Sequence, residues 1–268
     1  MPVRNRFDRS ALRPRGTRHP ELLSNVDGPA PAPSLPTADL RTALDLRDPS
    51  SYTLDTSTSS GNSLISAISS VSGAPVNWAQ ATPANRPQFL ASAGDLSAPA
   101  IAFGGLGWTA NTRLVAASAL LPSSGPIAAY ALFHNAEASG AQALLDAQSG
   151  RRILSIMTTG SVLGYFDGAA YRPATPADSD SVLGVQCVHW GLQASGGRVT
   201  RGNSEVFTGP YTEGAWGGTV SLGTVHNAFA GPDVYLYALY VYAAAHDLAQ
   251  QAAVKAYIRA GWGAGTGL

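Results

Sequence analysis

The run Val-Tyr-Leu-Tyr-Ala-Leu-Tyr-Val-Tyr at residues 234–242 constrains this chain most. Successive side chains of a strand point to opposite faces, and here both faces are apolar or aromatic, so the strand must be central and covered on both sides. The rest of the chain offers what such a strand needs. From about residue 41 to 245, short β-prone runs alternate with Gly, Pro, Ser, Asn and Asp, which predicts an all-β sandwich. Clear runs lie at residues 100–103, 152–157, 162–166 and 181–188. Phe166-Asp167-Gly168 supplies the Asp-Gly turn that pairs residues 162–166 with 169–171 as a hairpin. Residues 114–121 are Ala-rich, but Val115 and the Pro-Ser-Ser-Gly-Pro that follows suit a strand entering a loop. One helix is expected near the C-terminus, capped by Asp247, running over residues 248–260 and closed by Gly261. Leu248, Ala252, Tyr257 and Ile258 are its expected buried stripe.

Residues 1–40 read differently from the remainder. Arg4, Arg6, Arg9, Arg13, Arg15 and Arg18 crowd the first eighteen positions, and a proline-rich run at 28–36 favours extended polyproline II. This pattern suits an arm and linker before a domain at 41–268, either as a disordered tail or as a docking arm that orders on a larger assembly. The N-terminus lacks the apolar stretch of a secretory signal, so export by that route is not expected.

Charge narrows the partners. Lys plus Arg (17) equal Asp plus Glu (17), so no field of one sign points to nucleic acid. No apolar run of about 18 residues predicts membrane insertion. With Cys187 as the single cysteine, an intrachain disulfide framework and a multi-cysteine zinc site are excluded.

Three passages resemble the laminin-G-like, concanavalin A-like jelly-roll domains of bacterial surface and phage proteins. The first begins at residues 44–55 and continues through Gln80-Ala81-Thr82-Pro83-Ala84-Asn85-Arg86-Pro87 to the strand at 99–103. The second is the hairpin around Tyr165-Phe166-Asp167-Gly168, and the third is the strand at 234–242 followed by His246-Asp247-Leu248 and, later, Trp262-Gly263. The resemblance implies a concanavalin A-like jelly-roll sandwich with one short C-terminal helix. The family's Phe-Asp-Gly is Phe103-Gly104-Gly105 here, so a calcium role does not carry over to that turn, and no cofactor is expected. Asp178 and Asp180 sit in a loop-like stretch that reads as solvated, with calcium as its alternative.

Candidate chemistry was sought in each remaining constellation. Jelly-roll glycoside hydrolases commonly carry two carboxylates at i and i+4 on one strand face. No two of Glu21, Glu137, Glu205 and Glu213 have that spacing, so the expectation is that the chain is not an enzyme. Cys187 and His189 share a strand face, either as a thiol-imidazole pair or as core residues, and core is the preferred reading. Trp190 reads as core, and no Gly-x-Ser-x-Gly elbow occurs. Gly105-Leu106-Gly107-Trp108-Thr109-Ala110 fits a dinucleotide fingerprint formally, but no helix or later acidic residue supports it.

What remains is a loop set of Trp108, Asp167, Tyr171, Asn203, Tyr211 and Trp216, with Asn227 beside it. Exposed rings stack on the apolar faces of sugars, and amides and carboxylates bond their hydroxyls. The alternative is that each merely packs a loop or meets a neighbouring subunit. Together with the arm, the jelly-roll resemblance implies a structural protein of a phage-like virion, assembled in the bacterial cytoplasm in multiple copies. Its arm would hold other virion proteins and its lectin-like domain would bind host surface polysaccharide. The alternative is a decoration protein that binds no sugar.

Overall fold

The computed structural model describes residues 32–55, 63–71, 74–103, 112–117, 119–120, 125–135, 142–147, 152–158, 162–167, 170–172, 184–212, 219–223 and 234–268. The first strands are β1 (Leu40–Asp45), β2 (Tyr52–Asp55), β3 (Leu64–Ile68), β4 (Trp78–Ala79), β5 (Gln88–Ala93) and β6 (Ala98–Phe103). Then come β7 (Leu114–Ala116), β8 (Ile127–Asn135), β9 (Gln142–Ala147), β10 (Arg152–Thr158), β11 (Val162–Asp167) and β12 (Tyr171–Arg172). The last are β13 (Gly184–Gln193), β14 (Gly196–Arg201), β15 (Ser204–Gly209), β16 (Val220–Leu222) and β17 (Val234–Tyr242), followed by α1 (Leu248–Trp262).

Every pairing among these strands is antiparallel. One sheet runs β2-β3-β5-β6-β17-β8-β13-β14-β15, with β1 taking over from β6 beside the second half of β17. The other runs β4-β7-β16-β9-β10-β11-β12, and β3 reaches it through β4. The fold class is the expected all-β sandwich with a C-terminal helix.

The two-sided strand lies where its pattern requires. β17 pairs with β8 along one edge and with β6 and β1 along the other. Val234, Leu236, Leu239 and Val241 face the core between the sheets, whereas Tyr237, Ala238, Tyr240 and Tyr242 face α1. A bulge at Tyr237, where the register jumps from Leu236 to Ala238, reverses the parity midway. Each inward phenol finds an acceptor: Tyr237 donates to the Ala93 carbonyl (2.8 Å), Tyr240 to Asp45 Oδ2 (3.3 Å) and Tyr242 to the Pro36 carbonyl (3.0 Å). β8 alternates in the same way, with Ala129, Ala131 and Phe133 toward the sandwich and Ala128, Tyr130 and Leu132 toward the helix. Trp190 is core as expected, and its indole N–H crosses the sandwich to the Gly164 carbonyl of β11 at 2.9 Å.

Other expectations also meet the structure. The β11–β12 hairpin pairs Phe166 with Tyr171, and residues 114–116 form a strand. The Gln80–Pro87 passage is a pinned turn: Arg86 donates to the Gln80 carbonyl (2.8 Å) and forms an ion pair with Asp55.

The helix departs in three respects. Asp247 caps it through a capping box with Gln250, but the helix runs through Gly261 and closes at Gly263. A Cβ on Gly261 would collide with the Arg47 guanidinium, so this glycine makes room for Arg47 to lie 4.7 Å over the Trp262 ring. The buried stripe is Val254, Ile258 and Trp262, while Ala252 is exposed and Leu248 is 72% exposed. The helix axis, set by Trp262 docking on Tyr237, turns the other spacing outward.

The compact unit begins at Pro33 rather than 41. Leu35 is buried under β17 and Pro36 accepts the Tyr242 hydroxyl, so the end of the proline-rich run is part of the domain. The arginines at 4, 6, 9, 13, 15 and 18 lie outside the described residues. No helix among the described residues is long and apolar enough to cross a membrane.

Candidate functional site

Within the expected loop set, Asn203 and Tyr211 are the members whose side chains are described, and these two do not come together. Trp108, Trp216 and Asn227, like Asp178 and Asp180, lie outside the described residues. Asp167 ends β11 opposite Arg152, and Tyr171 opens β12, so these two share a hairpin. Asn203 is exposed in the two-residue turn from β14 to β15, beside Gly202 at φ 57°. Tyr211 lies beyond the other end of the six-residue β15, about 20 Å along the strand direction from Asn203. It is 5% exposed and sits in the core, edge-on to Tyr165 at 5.8 Å. Its ring has no free face for a sugar, which corrects its assignment: Tyr165 donates its hydroxyl to the Pro210 carbonyl (2.8 Å) and draws the loop inward.

Among the described residues, a cavity of about 290 Å³ lies between β13, β14 and the start of α1. Strand parity builds its floor. His189, Gly191 and Gln193 alternate along β13 and share one face, and Arg198 of β14 lies directly opposite Gly191. Gly191 is the notch: a Cβ there would come within 3.1 Å of His189 Cε1. The roof is His246 to Gln251. The capping box fixes the chain there, with the Gln250 N–H donating to Asp247 Oδ1 (2.8 Å) and the Asp247 N–H to Gln250 Oε1 (2.9 Å). Gln251 Nε2 donates to the His246 carbonyl (2.9 Å), and His246 Nδ1 lies 2.8 Å from the Tyr130 hydroxyl.

His189 is the unusual member. It is 1% exposed and stacks on Tyr130, centroids 4.5 Å apart at 24°, yet neither ring nitrogen has a hydrogen-bond partner among the described residues. Burial lowers its pKa to about 3, helped by the nearby charges of Lys255, His246 and Arg198, so the ring is neutral at pH 7. A neutral imidazole carries one N–H donor and one bare acceptor. Of the cations around it, Lys255 Nζ donates to the Gly202 carbonyl (2.6 Å), and Arg198 Nε lies 2.7 Å from Glu205 Oε2 as an ion pair without hydrogen-bond geometry. Burial also lowers the pKa of His246, against the opposing pull of Asp247.

Cys187, on the same face of β13, is buried with its thiol pushed up to about 12. With the imidazole held neutral by the same burial, no thiolate-imidazolium pair forms at neutral pH, in accord with the core reading. A second hollow, near Asp45, Arg47 and Tyr257, is closed chemically. Arg47 grips Asp45 with both Nε (2.8 Å) and Nη2, and Tyr240 donates to the same carboxylate. No group of three or more metal-binding side chains occurs among the described residues.

The cavity residues were scarcely visible in the sequence. His189 and His246 are 57 positions apart (246 − 189), and only the fold brings them together. The one available signal was the alternation His189-x-Gly191-x-Gln193, which places a glycine gap between two polar side chains on one strand face.

Known proteins match this chain in fold and not in sequence. No family model matches, and no curated protein matches. Domain 4 of AbnA, a GH43 extracellular arabinanase from Geobacillus stearothermophilus, in complex with arabinotriose, superposes with a TM-score of 0.52 at 12% identity, covering 83% of this chain and all (100%) of that one. The binding domain of Paraclostridial Mosquitocidal Protein 1 gives a TM-score of 0.53 at 9% identity over 82% of this chain and 52% of that one. Trypanosoma rangeli sialidase in complex with sialic acid gives 0.50 at 14% identity over 86% of this chain and 35% of that one. The chain thus spans about half of the toxin chain and a third of the sialidase chain.

These neighbours correct the expectation that the chain is not an enzyme. The fold occurs within glycosidases, and the missing i, i+4 glutamate pair excluded only one way of arranging carboxylates, because a sandwich can bring acids together from separate strands. The chain therefore has a β-sandwich whose fold is shared by an arabinanase domain, a toxin binding domain and a sialidase.

Proposed function

We propose that the protein is a glycan-binding module of a phage-like particle. One observation carries the glycan half: the sandwich shares its fold, over the whole of the neighbouring chain, with an arabinanase domain in complex with arabinotriose. The cavity beside α1 supports it, because a mixed apolar lining with a few buried hydrogen-bonding groups suits hydroxyl ligands. The particle half is supported by the sequence. A basic, proline-rich segment precedes a domain with a lone buried cysteine, and a particle assembled in the cytoplasm reaches the exterior without disulfides. In this reading Arg4, Arg6, Arg9, Arg13, Arg15 and Arg18 hold other virion proteins, many copies assemble, and the sandwich faces the polysaccharide of the host.

The test is binding of the full chain to whole host cells and to their extracted envelope polysaccharide, with Trp108→Ala and Trp216→Ala alongside. Saturable binding supports the glycan reading, and weakening by either substitution brings the loop tryptophans into the site. Its absence turns the protein into a decoration component. Reducing ends are measured in the same incubations, since their release would make the module a glycosidase. Removing residues 1–32, which leaves Leu35 and Pro36 in place, is expected to abolish incorporation into particles; normal incorporation would defeat the arm assignment.

A further inference from the structure

We infer that the cavity between β13, β14 and the N-terminal turn of α1 is a binding site for one neutral, hydroxyl-bearing sugar unit, with the unpartnered imidazole of His189 as the polar group at its floor. The assignment rests on the glycan-binding reading and names the place and the chemical class.

The argument begins with a buried polar group. A polar side chain almost completely removed from water normally has a partner, and leaving it without one is costly. His189 has none on either nitrogen among the described residues, although Tyr130 and Gly191 position its ring closely. The ring is therefore oriented, neutral and unsatisfied at the floor of a cavity of about 290 Å³. That volume suits a single monosaccharide at the small end of known ligand pockets.

The same geometry selects the ligand. A neutral imidazole presents one donor and one acceptor, and a hydroxyl group can satisfy either because it both donates and accepts. Gln193 and Gln251 add amides at the rim, and amides are equally two-sided. Arg198 is paired with Glu205 and Asp247 with the N-terminal dipole of α1, while Lys255 donates to the Gly202 carbonyl. The helix N-terminus itself is already occupied by the Asp247 carboxylate, so it does not recruit a second anion. A neutral ligand leaves all of these pairs intact, whereas a carboxylated one competes with Glu205 and Asp247.

The test follows the imidazole resonances of the full-length protein by nitrogen-proton correlation while D-glucose, D-galactose, L-arabinose, L-rhamnose and D-glucuronate are added in turn. The expected result is a saturable shift of the His189 and His246 ring signals with at least one neutral sugar and a much smaller one with glucuronate. His189→Phe keeps the stacked ring and removes both nitrogens. Gly191→Val fills the notch on a strand that favours β-branched residues; its Cβ would lie 3.1 Å from His189 Cε1, so the ring must yield by a few tenths of an ångström. Both are expected to weaken the sugar at least tenfold, with backbone amide spectra unchanged away from the cavity. If no sugar moves the His189 signals, the assignment is overturned. A response to glucuronate alone overturns the neutral class. Unchanged binding of envelope polysaccharide by both variants overturns the cavity as the site and leaves the glycan reading standing. Sugar shifts at His189 without any polysaccharide binding support the cavity and overturn the host-glycan reading.

Discussion

The two ends of α1 rest on the same sheet, but the C-terminal end is sealed and the N-terminal end is hollow. At the sealed end Asp45 is buried and yet fully occupied, gripped by Arg47 and reached by the Tyr240 hydroxyl, while Trp262 packs on Tyr237 and carries the Arg47 guanidinium on its face. At the hollow end Leu248 points to solvent, Gly191 leaves a gap in the floor, and His189 keeps two nitrogens without partners. The sealed end converts the buried polarity of Asp45 into hydrogen bonds and so contributes to stability, although the Trp262 indole N–H there has no partner among the described residues. The hollow end leaves the buried polarity of His189 unanswered, which costs stability.

This contrast is open to four measurements by denaturant unfolding. Asp45→Ala leaves the partly exposed Arg47 unpaired and strands the Tyr240 hydroxyl beneath the helix, and a loss of about 1–3 kcal/mol is expected. A loss under about 1 kcal/mol would mean that this end is not sealed as described. The second measurement follows pH. The folded pKa of His189 lies near 3, below its ordinary 6.5, so the unfolded chain takes up the proton first as pH falls. This contribution is fully present above 6.5 and is lost toward 3, at up to about 1.4 kcal/mol per pH unit. His189→Phe should flatten that part of the profile, and an unchanged slope would place the acid-labile group elsewhere. Third, Asp247→Ala removes the cap over the cavity and should cost about 1 kcal/mol. Arg198→Ala, breaking a half-exposed ion pair, should change stability by less than about 0.5 kcal/mol while altering the cavity wall.

Particular elements explain what could be read in advance. The strand at residues 234–242 was legible because apolar side chains at both parities admit only a doubly covered position, and β17 occupies it. Asp247 was legible as a cap because capping is local, needing only Gln250 three residues away. The buried stripe of α1 was legible only in part, at Ile258 and the half-buried Tyr257, since its apolar residues permit two faces and docking of Trp262 chose between them. Tyr211 looked exposed because its neighbours are glycine and proline, yet Tyr165, 46 positions earlier (211 − 165), packs against it. The cavity was the least legible feature. Its residues come from two strands and a helix, none forms a local motif, and its most telling property is a hydrogen bond that is missing.

Residue order alone settled the all-β class, the central strand, the helix cap and the burial of Trp190, because periodicity and capping act over a few neighbouring residues. Which residues form a site, which face α1 buries and where the domain begins were decided by packing. Those outcomes depend on side chains that meet from distant parts of the chain, as His189 meets Tyr130 and Tyr130 meets His246, and no local pattern records such meetings.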